Sequence, residues 1–260
     1  MNGVRVVRIA LTILALLLLS SGALFAAPAP AQPTLPIPAI NMAIGAAEGP
    51  EDVVLTIQIL ALITVLSLAP AILLMTTSFM RTLIVLGFVR QAMGTQQMPP
   101  NQVVASLALF LTVFTMAPVW NQIYDNALAP YVQGDIPAQA AWERTVQPMR
   151  DFMFKQTRDS ELGLMIRLSN EERPANRDEV KTMVLIPAFV LSELKTAFQM
   201  GVVLYIPFIV IDMIVGSILM AMGMMMLPPA MVSTPFKLLL FVMADGWNLV
   251  IASLITSFHL

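Results

Sequence analysis

Cysteine is absent from the chain, and histidine occurs once, at His259. The first absence excludes disulfides and thiolate metal ligands. The second leaves zinc clusters and histidine-based nucleophile pairs without their parts. No Gly-rich loop of the P-loop type is present, so no nucleotide site is expected. Charge is also scarce. Only 12% of residues are charged, against about 25% in an ordinary soluble domain. The net charge of −2 provides no basic field for nucleic acid. The sequence therefore predicts no catalytic set, no cofactor and no metal, and Glu171-Glu172 in SNEERP reads as a solvated turn rather than a catalytic dyad. Apolar residues make up 58% of the 260 and mean hydropathy is +0.80. That composition places the protein in or against a membrane.

The N-terminus has the three parts of a secretory signal. Arg5 and Arg8 precede the apolar IALTILALLLL, and small residues follow in SSGALFAAPAPA, predicting a signal peptide over 1–26. An uncleaved first membrane helix is the other reading. Residues 27–52 form a Pro-rich linker, extended and solvated. Residues 53–120 hold two apolar candidates, 53–75 and 103–120, each near the roughly 20 residues a span requires. Between them lies a segment with Arg81 and Arg90 and no acid, which the positive-inside rule makes cytoplasmic. Residues 121–183 look soluble and extracytoplasmic: eight of the 14 basic residues and ten of the 16 acids fall there. In that region Val146, Met149, Phe152 and Met153, then Leu162, Met165 and Ile166, suggest an amphipathic helix. Residues 184–260 are an apolar core, with 184–227 long enough for two passes.

Two anomalies argue against a plain lipid-facing bundle. Prolines interrupt the apolar runs at Pro70, Pro99-Pro100, Pro118, Pro187, Pro207, Pro228-Pro229 and Pro235, and each frees a carbonyl that needs a partner. Glu193, Lys195, Asp212, Lys237 and Asp245 lie in apolar sequence, at about 2.5–3.5 kcal/mol each at a helix centre. The fold class expected is all-α, with broken helices packed mainly on protein.

Three segments then carry a resemblance. PAFVLSELKTAFQMG (187–201) is similar to a signature of the FliP/SctR family, the inner-membrane pore component of type III protein export. IPFIVIDMIVGSILMAMGMMMLPPAMVSTPFKLLLFVMADGWNL (206–249) resembles that family's C-terminal core, and SFMRTLIVLGFVRQAMGTQQMPPNQV (78–103) its cytoplasm-proximal turn. The likeness runs from about Val53 onward and is weakest over 125–180. The signal sequence resembles the flagellar branch more than the virulence branch. The resemblance implies a homo-oligomer, in the family a pentamer, built into a closed export gate with FliQ-like and FliR-like subunits. FlhA-like and FlhB-like export components and a FliO-like assembly factor would be further partners, and unfolded export substrates would pass through. It places the gate in the inner membrane, inside the flagellar basal body. A virulence-type gate subunit remains an alternative. So, further off, does a small-molecule or ion transporter, although no internal repeat is evident.

Five methionines fall within seven residues of MAMGMMMLPP (220–229). Methionine is unbranched and fills irregular gaps. A ring of Met224, Met225 and Met226 from several subunits is suited to seal around nothing, and then around a passing chain. Plain core packing is the competing reading. Gly223 and Pro228-Pro229 predict a loop there. Glu193 and Lys237 each need a charged partner, and a pair between them would join separate helices or adjacent subunits; the resemblance favours adjacent subunits. Lys195 is the alternative neighbour of Glu193. Asp212 and Asp245 read as structural polar residues that cap or bond backbone rather than as a proton path. Arg81 and Arg90 read as topology determinants. Ser217 and Ala221 have the spacing of a close helix contact.

Overall fold

The computed structural model describes residues 50–95, 98–169, 174–224 and 226–258. The expected signal peptide, most of the Pro-rich linker, the Glu171-Glu172 turn, Met225 and His259 lie outside the described residues. The chain divides into two compact units, 1–65 and 66–260. Every described element is helical, as expected: α1 (Pro50–Thr76), α2 (Phe79–Ala92), α3 (Asn101–Thr115), α4 (Ala117–Ile123), a π-helical turn (Tyr124–Leu128), α5 (Ala129–Gln133), α6 (Ala138–Gln156), α7 (Asp159–Leu168), α8 (Thr182–Ala221), α9 (Pro229–Met243) and α10 (Gly246–Thr256).

Helix α8 is the spine of the second unit. Helices α2, α6, α7 and α9 all pack on it. Its buried residues Leu185, Ala188, Phe189, Ser192, Glu193 and Ala197 recur every three to four positions, the spacing of one helix face. Helix α2 answers with Arg81, Thr82, Val85, Leu86, Val89 and Ala92 on one face. At Gly201 the Phe88 ring lies against the α8 backbone, where a Cβ would lie 2.4 Å from Phe88 Cδ2; any side chain there would push the ring away. Burying Phe189 and Leu185 completely stabilises the contact by about 1.5–3 kcal/mol each.

Residues 184–227 have the length for two passes; of these, 184–221 belong to one helix, α8, which runs 40 residues without a break through Pro187 and Pro207. Pro207 forfeits the bond to the Val203 carbonyl, but no turn residues flank it in YIPFI, so the helix continues. The Arg81/Arg90 segment forms α2, whose Arg81, Thr82, Val85, Leu86, Val89 and Ala92 are buried.

A 40-residue helix is about 60 Å long, twice the roughly 30 Å of bilayer hydrocarbon. The N-terminal half of α8 packs on its own chain, whereas Val202, Val203, Ile206, Met213, Ile214 and Ile218 of the C-terminal half are exposed. Among the described residues, helix α8 alone is long and apolar enough to cross a membrane; three bent pairs also qualify if each counts as one span. These are α1 about Pro70, α3 with Ala117–Gln133 bent by 55°, and α9 with α10 bent by 65°. The polar region holds α6 and α7, two amphipathic helices, in place of a single one. Phe152 and Met153 are buried; Val146, Met149, Leu162 and Ile166 are half-buried.

Candidate functional site

The methionine run lies where α8 stops. Gly223 has φ +77°, a conformation that glycine adopts without a Cβ penalty. Gly223 N–H donates to the Met220 carbonyl and Met224 N–H to the Leu219 carbonyl, both at 3.0 Å. Together these bonds form a Schellman ending, which satisfies carbonyls the helix would otherwise leave open. On the far side, Pro229 occupies the first turn of α9, where a missing N–H costs nothing. The short loop between them presents Met224 at 41% exposure and Met226 at 97%. Met220, Met222 and Met231 beside it are exposed as well. The described methionines of the run are therefore not core packing within this chain.

Two charged clusters lie among the apolar helices. In the first, Arg81 is 2% exposed and Glu193 fully buried. Arg81 Nε donates to Glu193 Oε2 at 2.8 Å, and Nη2 donates to Glu193 Oε1. Nη2 also donates to Gln156 Oε1 at 3.2 Å, while Nη1 donates to the Ser257 carbonyl at 2.9 Å and to Ser257 Oγ at 3.0 Å. All five guanidinium N–H donors are thus used. The guanidinium carbon lies 4.1 Å from the ring centroid of Phe258, a cation–π contact. One side chain ties α2, α6, α8 and the segment after α10 together.

The second cluster joins α8 to α9. Lys237 Nζ donates to Asp212 Oδ2 at 2.6 Å, and the buried Ser233 donates to Asp212 Oδ1. A third pair lies at the polar region, where half-exposed Lys195 donates to Glu161 Oε1 at 2.8 Å. The Lys195 ammonium, helped by the Ser160 hydroxyl, lowers the Glu161 carboxyl to about 2.

These contacts place several of the residues singled out in the sequence. Glu193 and Lys237 do not meet within the chain. Each has a nearer partner, Arg81 and Asp212, because α2 and α9 bring opposite charges to the same faces of α8. Lys195 binds Glu161 rather than Glu193. Arg81, read from the sequence as a topology determinant, is a buried hub in the fold. Arg90 is half-buried and donates to Asn101 Oδ1. Asp212 was expected to cap or bond backbone; its partners are the side chains of Lys237 and Ser233. Asp245 stands at the N-cap of α10 with φ 49°; its carboxylate accepts from Asn248 Nδ2 at 3.0 Å, with no side-chain bond to the helix backbone. Ser217 is exposed and donates to the Met213 carbonyl at 2.8 Å.

Gln156, Ser257 and Phe258 were not anticipated. They lie 75 to 177 positions from Arg81 in the sequence, and no local pattern connects them. Ser233 did carry a signal, since it precedes Lys237 by four residues and shares its helix face. Among the described residues, no group of three or more acids or histidines is placed to hold a metal.

Exposed apolar helices, ion pairs buried beneath them and a loop of exposed methionines define a helical membrane protein whose outer surface is made for apolar contact. A sequence profile of the FliP family matches residues 62–254. The chain is 50% identical over 213 residues to the flagellar biosynthetic protein FliP of Borreliella burgdorferi, covering 81% of this chain and 84% of that one. It is 49% identical over 209 residues to the Bacillus subtilis protein of the same name, covering 80% and 95%. Over 246 residues it is 48% identical to that of Pectobacterium carotovorum, covering 93% and 92%. The chain belongs to the FliP family.

Proposed function

We propose that this protein is a pore-lining subunit of a flagellar type III export gate in the bacterial inner membrane. In this reading several copies assemble with FliQ-like and FliR-like subunits, and the methionine loops converge to close the channel through which unfolded flagellar proteins pass. FlhA-like and FlhB-like components would deliver substrates and a FliO-like factor would assist assembly. Export would draw its energy from those partners or from the membrane gradient.

One observation carries the reading: the loop of Met224 and Met226 is exposed at the junction of two apolar helices, with its ends fixed by a Schellman ending and a proline start. Flexible thioether side chains on a fixed frame suit a seal that must fit varied shapes. The relatives named above, all called flagellar biosynthetic protein, support the flagellar branch.

The test replaces Met224, Met225 and Met226 together by alanine and measures small-solute conductance across membranes holding the assembled complex. Shortening three side chains per subunit is expected to open a steady leak while the native mass of the complex is unchanged. Wild-type conductance in a fully assembled mutant would refute the gasket.

A further inference from the structure

Asp212 and Lys237 stand on the two helices that carry the methionine loop, one on each arm. The carboxylate belongs to α8, yet both of its oxygens are held from α9, by Lys237 Nζ at 2.6 Å and by Ser233 Oγ. Lys237 is 4% exposed and Ser233 fully buried. Nearer the loop the arms touch again: a Cβ on Gly216 would lie 3.7 Å from Pro229 Cβ. The turn after α2 closes over the cluster. Its Gly94, at φ +73°, has room for a Cβ only 3.1 Å from Thr234 Oγ1 and 3.8 Å from Lys237 Nζ.

We propose that Asp212, Ser233 and Lys237 form a clamp that sets the register of the two arms and so fixes the methionine loop where it seals; Asp212 is its positioning residue. The proposal rests on the pore reading. Apolar contact is non-directional, and most of the facing surface of α8 beyond Gly201 and of α9 is apolar, so the arms would otherwise slide or rotate at little cost. A charge pair with a second donor on the same carboxylate has one register. Hydrophobic residues of similar volume are often at least as stable as a buried ion pair, so the clamp supplies position rather than stability.

The chain has no cysteine, so Gly216→Cys with Pro229→Cys introduces the only two thiols. Their 3.7 Å Cβ separation falls in the disulfide range of about 3.5–4.5 Å. The rate of oxidation of that pair in the full-length, membrane-inserted chain reports how well the arms are held. Adding Asp212→Asn is expected to slow it about tenfold, equivalent to ~1.4 kcal/mol. Ser233→Ala keeps both charges and is the milder variant. It is expected to slow oxidation about twofold to tenfold, the range of one hydrogen bond. Without the added cysteines, Asp212→Asn should leak small solutes at unchanged native mass, and Asp212→Lys with Lys237→Asp should reseal it. Unaltered oxidation and an intact seal in both variants would overturn the proposal. So would resealing by Glu193→Lys with Lys237→Glu where the Asp212 exchange restores nothing. If oxidation depends on Asp212 while the methionine-to-alanine complex conducts like wild type, the clamp stands and the pore reading fails.

Discussion

Replacing Arg81 by methionine tests the largest single electrostatic commitment in the fold. The new side chain has similar length and no donors. Glu193, fully buried, would lose both of its bonds to the guanidinium, and an uncompensated buried charge costs about 3–5 kcal/mol. Gln156 and the Ser257 carbonyl would each lose a donor as well, at about 1–3 kcal/mol for a group left unsatisfied. For a chain of this size each kcal/mol moves the midpoint by about 2–4 °C, so the single variant should melt roughly 10 °C or more below wild type. Arg81→Met combined with Glu193→Leu removes both charges. Its loss should be smaller than that of Arg81→Met alone, because an apolar pair of similar volume replaces an ion pair at little net cost. Thermal unfolding of the detergent-solubilised protein, followed by tryptophan fluorescence, measures all variants. Additive losses in the double variant would refute the reasoning, since additivity is the behaviour of groups that do not interact.

Gly201→Ala forces a methyl to within 2.4 Å of the Phe88 ring. The expected cost is about 1–3 kcal/mol, as for other overpacked interiors, read as a lower melting midpoint that Phe88→Leu partly restores. Glu161 gives a pH signature. Its folded carboxyl titrates near 2 against an ordinary 4.5, so its contribution to stability is complete above about pH 4.5 and disappears as pH falls toward 2. An acid-unfolding profile should therefore show less stability loss between those values in Glu161→Gln than in wild type. An identical slope would remove the Lys195–Glu161 pair from the account.

The all-helical class was legible because apolar runs near bilayer length admit little else. The methionine loop was legible because Gly223 and Pro228-Pro229 are local signals that act within a few residues. The path of α8 was not. Pro207 breaks a helix only when turn residues beside it offer the backbone another route, and Tyr205, Ile206, Phe208 and Ile209 offer none. Charge partners were half legible. That Glu193 and Lys237 need opposite charges follows from burial alone. Which charges they find depends on how α2 and α9 lie on α8, and helix packing leaves no trace in the spacing of single residues. The burial of Arg81 was illegible for the same reason: an arginine beside an apolar run has one composition whether it faces water or the core.

The Arg81 hub also fixes an order of events. During synthesis its guanidinium appears first, 112 residues before Glu193 and 176 before Ser257. Helix α2 can form early, but its inner face carries an unanswered cation until Glu193 is made, and unfilled guanidinium donors until Ser257 is made. The turn at Ser257 and Phe258 closes the contact begun at Arg81. Folding of the inner core is thus completed from its two distant ends, and a chain halted partway through α10 would carry the whole methionine loop and still lack a finished interior.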